Sequence, residues 1–218
     1  MSEPTIQRRI VKSRDTKWAR NATQWLSKRD ITPNHVSIFS IVCSAGAFFA
    51  FLTMRSPSHN TSIFFPFLAI VCMQFRLICN LLDGMVAIEG GKVTASGEIF
   101  NDAPDRASDI LIFVGAGYSV FFADWGISLG WFVAILAVLT AYVRILGTSI
   151  GVKADFRGPM AKQHRMAVLT TACGIAMIEH SFNHPNNSIF LALCVISIGC
   201  IITIYRRLKH IYITKEAQ

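Results

Sequence analysis

Residues 80–109 read NLLDGMVAIEGGKVTASGEIFNDAPDRASD and place polar side chains at the facing ends of two apolar segments. In the first segment, Asn80 and Asp83 are three residues apart and therefore share one face of a helix. In the second segment, three polar residues follow one another at intervals of four: Asn101, Asp105 and Asp109. The two predicted helices are antiparallel neighbours joined by a loop. We therefore expect their polar faces to meet at the same depth.

The chain as a whole has the composition of a membrane protein. Of its 218 residues, 52% are hydrophobic and 16% are charged, and the mean hydropathy is +0.45. Soluble domains carry about 25% charged residues, so this chain has too little charge to cover a water-facing surface. Backbone groups in lipid need internal hydrogen bonds, which favours helices. We predict an all-α integral membrane protein with six transmembrane helices, at residues 35–54, 62–86, 99–122, 127–149, 166–182 and 188–205.

The basic residues indicate the orientation of these helices. The net charge of +8 is compatible with nucleic-acid binding, but the basic residues gather at the ends of apolar segments, and we expect no nucleic-acid partner. Seventeen of the 21 lie on the side of the N-terminus, and only Arg55 lies on the opposite side. By the positive-inside rule, both termini and the polar cluster face the cytoplasm. We expect a multi-pass protein of the bacterial inner (cytoplasmic) membrane.

The chain divides into two parts. Residues 1–30 are basic, and their apolar positions recur at helical spacing. This pattern predicts an amphipathic juxtamembrane helix on the bilayer surface, with its basic residues towards anionic head groups. A disordered basic tail is the alternative for the first dozen residues. Residues 31–218 form the predicted six-span domain.

The polar cluster has the chemistry of a site for a hard cation. Carboxylates this close repel one another unless a cation lies between them. Oxygen ligands from Asp and Asn, without His or Cys, favour Mg²⁺, Mn²⁺ or Ca²⁺ over zinc. Gly84 and Ala87 remove side-chain bulk beside Asp83 and leave room for a ligand near the backbone. The alternative is that Asp and Asn cap helix ends while small residues pack helices together, but this explains only part of the cluster.

The same stretch resembles the signature of the CDP-alcohol phosphotransferase (CDP-alcohol phosphatidyltransferase) family, D-x2-D-G-x2-A-R-x8-G-x3-D-x3-D. Every spacing fits and five of the eight identities match. The motif positions on this chain are Asn80, Asp83, Gly84, Ala87, Ile88, Gly97, Asn101 and Asp105. Amides therefore replace the first and third aspartates, and Ile88 replaces the arginine. The six-span plan, the basic surface helix and the Thr-Pro-Asn sequence at 32–34 also look like this family.

The resemblance implies a phosphatidyltransferase of phospholipid biosynthesis that moves a phosphatidyl group from CDP-diacylglycerol to an alcohol and releases CMP. It implies that Asp105 is the general base and that Gly84, Ala87 and Gly97 make room for the CDP moiety. The implied metal ligands are Asn80, Asp83, Asn101, Asp102 and Asp105. The implied cofactor is Mg²⁺ or Mn²⁺. Two ions are expected, one held more weakly because each amide removes a negative charge.

The departures from the signature leave several assignments open. Asp102 or Asp109 could compensate for the missing carboxylates, and Lys92 or Arg76 for the missing arginine. Arg76 could instead form a buried ion pair with Asp109 or Glu98.

The acceptor alcohol is not fixed by the motif. Basic residues near the site mildly favour a polyol phosphate such as glycerol 3-phosphate, while serine, inositol derivatives or another lipid remain open. The residues expected to contact acceptor phosphate are Arg144, Lys162 and Arg165. The family resemblance also implies a homodimer. Two alternatives are a non-catalytic relative that binds CDP-lipid, and a small transporter, although most of spans one, five and six is apolar.

Overall fold

The computed structural model describes residues 16–29, 31–55, 63–89, 97–120, 125–182 and 186–217. Over these residues the protein is helical, with no strand. Its helices are α1 (Lys17–Lys28), α2 (Pro33–Thr53), α3 (Phe64–Glu89), α4 (Gly97–Ser119), α5 (Gly126–Ser149), α6 (Lys162–Glu179) and α7 (Asn187–Glu216). A single 3-10 turn, His180–Phe182, follows α6.

Each of the six apolar stretches forms a helix, as predicted, and α7 is the one whose length differs most. It was expected to end at Tyr205 but continues to Glu216. The extension remains helical because it keeps one buried side: Arg207 and Ile211 are four residues apart, and both are buried. Ile211 packs in a small apolar cluster with Val143 and Val152.

Within the described residues, four helices have the length and composition of membrane spans, namely α2, α3 over Phe64–Ile88, α5 and α7. The protein is therefore a multi-pass membrane protein. Helices α4 and α6 are not among the four, because charged side chains lie in the first half of α4 and at both ends of α6. The number of six spans stays a prediction.

The start of α2 explains the Thr-Pro-Asn sequence. The Thr32 hydroxyl accepts a hydrogen bond from the His35 amide at 3.3 Å, and the His35 ring accepts one from the Thr32 amide at 3.4 Å. These reciprocal side-chain bonds form a capping box that fixes the start of the helix. Pro33 occupies the first helical position, where its missing N–H costs nothing.

Helix packing brings one end of several helices together. Helix α2 packs along both α3 and α4, α4 packs on α5, and α7 packs on α5 and α6. Helices α4 and α5 approach closely where two glycines meet, since a Cβ on Gly117 would lie 2.7 Å from the Gly130 Cα. Helix α1 docks on α3, and its Ala22 and Leu26 pack on an apolar cluster that includes Cys79 and Leu82 of α3.

Candidate active site

The polar cluster lies where the second half of α3 meets the first half of α4, as the sequence predicted. Three further elements reach it: the start of α2, the end of α5 and the start of α6. Arg76 of α3 bridges to α4 through Asp105 and Asp109. The cluster is therefore built from five helices.

Asp83 is buried and is held from α2. Ser37 donates its hydroxyl hydrogen bond to Asp83 Oδ2 at 2.8 Å, and both side chains are nearly inaccessible to solvent. The sequence reasoning missed Ser37. The available signal was a row of serines at helical spacing on one face of the apolar α2, namely Ser37, Ser40 and Ser44, all of which are buried.

Asp105 is surrounded by basic side chains from three helices. Lys162, the first residue of α6, donates a hydrogen bond to Asp105 Oδ1. The Arg76 guanidinium lies 3.7 Å from the same oxygen, and Arg106 lies 3.7 Å from Oδ2. The structure thus brings the predicted base together with Lys162, one of the predicted phosphate contacts.

Asp109 forms a fully buried charge network. Its side chain is 0% exposed; Arg76 contacts Oδ1 at 2.6 Å and Arg165 contacts Oδ2 at 2.7 Å. Of the two partners considered for Arg76, Asp109 forms an ion pair with it, while the Glu98 side chain lies outside the part of the chain that the structure describes. Because both carboxylate oxygens are used, Asp109 is badly placed to replace a missing metal ligand.

Arg165 is turned away from solvent. Besides Asp109, its guanidinium donates to Thr140 Oγ1 at 3.0 Å and to the Met160 carbonyl at 3.1 Å. The residue is 2% exposed. These contacts tie the start of α6 to α4 and α5.

Asp102 is half-buried and links α4 to α5. Its Oδ1 accepts a hydrogen bond from Arg144 at 3.2 Å, and Arg106 reaches the same oxygen at 3.4 Å. The Arg144 guanidinium also lies over the Phe156 ring, 5.8 Å from its centroid. Arg144 therefore has a fixed position while a third of its side chain stays open to solvent.

The remaining motif residues lie on α3 and α4. Gly84 and Ala87 are partly buried on α3, Gly97 begins α4, and Asn101 is exposed one turn later. Asn80 lies one turn before Asp83, and its buried Nδ2 has no hydrogen-bond partner among the residues that the structure describes.

Within the described part of the chain, no three His, Cys, Asp or Glu side chains are grouped as a metal site. The physical reason is that Asp102, Asp105 and Asp109 point their oxygens at arginine or lysine side chains. Asp83 and the neighbouring Asn80 amide remain as oxygen donors, a set suited to one hard cation.

The loop between α5 and α6 is fastened to α7. Arg207 is buried and donates to the carbonyls of Arg157 at 3.0 Å and Thr140 at 2.5 Å. Thr203 accepts a hydrogen bond from the Met160 amide at 3.1 Å. Sequence reasoning counted Arg207 only as a topology signal. These contacts fix the position at which α6 begins, and Lys162 is the first residue of α6.

One loop carboxylate has a shifted pKa. Burial of Asp155 raises its pKa, but hydrogen bonds from the Arg157 amide and side chain, at 2.9 and 3.0 Å, lower it by more. The net result is a pKa below the usual range. Asp155 is therefore ionised at neutral pH and holds Arg157 in place.

Several known proteins are similar to this chain. Inner membrane protein YnbA of Escherichia coli is 28% identical over 144 residues, which are 66% of this chain and 67% of that protein. The phosphatidylinositol phosphate synthase of Streptomyces avermitilis is 24% identical over 184 residues, 73% of this chain and 74% of that one.

The fold is similar to crystal structures of the Mycobacterium tuberculosis phosphatidylinositol phosphate synthase. The structure with CDP-DAG bound gives a TM-score of 0.74 at 19% identity and covers 90% of this chain and 94% of that chain. The complex with manganese and citrate gives 0.73 at 19% identity, with coverage of 89% and 88%. At this level of identity the likeness establishes the fold.

The family is settled by a sequence match over most of the chain. A sequence model described as CDP-alcohol phosphatidyltransferase matches residues 30–205. This match spans every helix from α2 to the middle of α7 and includes the polar cluster. It confirms the resemblance read from the motif spacing and the transferase class which that resemblance implied. The chain belongs to the CDP-alcohol phosphatidyltransferase family.

Proposed function

We propose that this protein transfers the phosphatidyl group of CDP-diacylglycerol to the hydroxyl group of an alcohol and releases CMP. The observation that carries the proposal is the placement of the signature residues Asp83 and Asp105 in one polar cluster, where Ser37 holds Asp83 and Lys162 and Arg76 contact Asp105. Family membership supports the reaction class. The CDP-DAG in the Mycobacterium tuberculosis structure supports the choice of donor.

Asp105 acts as the general base in this proposal. A carboxylate within hydrogen-bond reach of the acceptor hydroxyl can take its proton as the oxygen attacks phosphorus. Lys162 already donates to Oδ1, so the position left for the proton is Oδ2, which Arg106 approaches to 3.7 Å, beyond hydrogen-bond distance. Arg76 and Lys162 hold the carboxylate in a fixed orientation, which reduces the entropy cost of the attack.

A divalent cation, Mg²⁺ or Mn²⁺, belongs to the proposed site. Asp83 and Asn80 would hold it, with Asn101, Asp102 and Asp105 as the further predicted ligands. The carbonyl oxygen of the Asn80 amide is the atom that would contact the cation. When bound, the cation neutralises the pyrophosphate and makes CMP a better leaving group. Manganese in the Mycobacterium tuberculosis protein supports this choice.

The donor and the acceptor approach from different helices. Gly84, Ala87 and Gly97 leave space for the CDP moiety beside α3 and α4. Arg144 and Lys162 contact the acceptor phosphate in our proposal, because about 31% and 26% of their side chains remain open. This arrangement favours a phosphorylated polyol as acceptor. For Arg165, whose side chain is buried on Asp109, we replace the expected phosphate contact with a positioning role.

We further propose the membrane arrangement expected from the sequence. All six helices α2–α7 cross the bacterial inner membrane, both termini and the site face the cytoplasm, and two chains form a homodimer. Helix α1 lies on the bilayer surface. This last point is supported by the exposure of Trp18 and Trp25 beside basic residues of the same helix.

Asp105→Asn tests the base role. We expect the variant to lose at least about 100-fold in turnover, the usual contribution of a general base, while it retains metal-dependent CDP-lipid binding. The measurement is CMP release beside a separate binding assay. Asp155→Asn is the matched control, since it makes the same change at another buried carboxylate and should keep most of the activity. Unchanged turnover in Asp105→Asn would remove Asp105 from the base role.

A further inference from the structure

We infer that the ammonium group of Lys162 takes the place of a second divalent cation beside Asp105, so that the site binds one metal ion. The inference rests on the proposed function. It differs from the expectation of two ions, and it depends on three features of this chain: the charge balance, the Lys162 contact and the two amides.

The charges of the cluster are already balanced by the protein. Five basic side chains each lie within 3.4 Å of a carboxylate oxygen of the cluster: Arg76, Arg106, Arg144, Lys162 and Arg165. They face four aspartates: Asp83, Asp102, Asp105 and Asp109. Before an acceptor phosphate adds its own negative charges, one divalent ion and the two negative charges of a pyrophosphate diester leave this set at +1. A second divalent ion would raise it to +3 in a mostly buried site, where uncompensated charge is costly.

The Lys162 ammonium contacts one of the two carboxylate oxygens through which Asp105 would bind a second ion. It donates to Asp105 Oδ1, and the Arg76 guanidinium lies 3.7 Å from the same atom. A divalent ion bound there would have to displace one cation and approach another. Asp83 is different, because among the described residues it is the one aspartate of the four without an ion pair. The single ion therefore belongs at Asp83.

Lys162 is held in this position by the fold. Met160, two residues before Lys162, donates a hydrogen bond to Thr203 through its amide and accepts one from Arg165 through its carbonyl. Met160 also packs tightly on Gly199, where an added Cβ would lie 2.2 Å from its side chain. The first residue of α6 therefore cannot move away from Asp105 without repacking against α7.

The two amides fit the same arrangement. Asn80 and Asn101 stand where the family signature has aspartates, so the positions that would share a second ion have lost two negative charges. An amide oxygen ligates a cation without neutralising it. The loss of two carboxylates and the presence of the Lys162 ammonium both weaken the affinity of the site for a second divalent ion. The three available donors in Lys162 also allow it to contact acceptor phosphate while it holds Asp105.

Manganese stoichiometry tests the inference without relying on activity. The probe is Mn²⁺ alone, added to the purified full chain in detergent, with bound metal counted by equilibrium dialysis and its coupling measured by electron paramagnetic resonance. We expect one ion per chain and the spectrum of an isolated Mn²⁺. Two ions per chain, or an exchange-coupled pair, would overturn the inference.

Substitutions test whether Asn80, Asn101 and Lys162 set the number of metal ions bound per chain. The triple variant Asn80→Asp, Asn101→Asp, Lys162→Met should bind two ions, whereas Asn80→Asp, Asn101→Asp with Lys162 retained should still bind one. Lys153→Met, which changes an exposed lysine of the loop between α5 and α6, is the control and should bind one metal ion. A triple variant that elutes as a folded protein and still binds one ion would refute the role of Lys162. CMP release is measured separately, so an inactive protein with one bound ion would count against the proposed function and leave this inference standing.

Discussion

Replacing Asp109 by asparagine leaves two buried guanidinium groups without their negative partner. Arg76 is 0% exposed and Arg165 is 2% exposed, and their contacts to Asp109 are 2.6 and 2.7 Å. Removing one member of a buried ion pair typically costs about 3–5 kcal/mol, because the remaining charge stays desolvated. We expect Asp109→Asn to lower the free energy of unfolding by about this amount.

The assay is thermal unfolding of the purified protein in detergent. For a chain of this size, 1 kcal/mol corresponds to about 2–4 °C, so the melting temperature should fall by about 6–20 °C. Asp102→Asn is the matched control. It removes a carboxylate from two arginines at a half-exposed position, where an ion pair contributes about 1 kcal/mol or less. Equal shifts for the two variants, or a larger one for Asp102→Asn, would refute the assignment of Asp109 as the centre of a buried network.

Two further predictions concern the donors around Asp83. Asn80→Asp or Asn101→Asp alone should tighten Mn²⁺ binding, because each restores a negative charge to the site; an unaltered metal titration would contradict the alignment of the two amides with the signature. Ser37→Ala removes the hydroxyl that orients Asp83 and should weaken Mn²⁺ binding several-fold at a stability cost of about 1–2 kcal/mol. Ser40→Ala, one turn along α2 and bonded only to the backbone, should leave Mn²⁺ binding unchanged.

The helices and the motif could be predicted because each depends on local spacing. Asn80 and Asp83 share a face through the helical repeat, and the apolar runs fix where each helix lies along the chain. The same repeat placed the carboxylates of α3 and α4 at one depth. These features follow from the sequence of one or two neighbouring helices.

The partners of the charged residues could not be predicted in the same way. Helical spacing left the partner of Arg76 open, and the packing of α3 against α4 brings its guanidinium to Asp109. Ser37, Arg165 and Arg207 act across helices that are distant in sequence, so no local pattern pairs them with Asp83, Asp109 or the α5–α6 loop. The sequence placed the end of α7 at Tyr205, which is too early. The last turns of α7 pack on the rest of the fold through Ile211, a contact that the apolar run does not reveal.

The most direct test of the account is CMP release by the purified protein with CDP-diacylglycerol, Mn²⁺ or Mg²⁺ and a panel of alcohol acceptors that includes polyol phosphates. We predict release that depends on the acceptor, is fastest with a phosphorylated polyol and is abolished by a chelator. Absence of release with every acceptor, while the protein still binds CDP-diacylglycerol, would contradict the proposed activity and favour a non-catalytic member of the family.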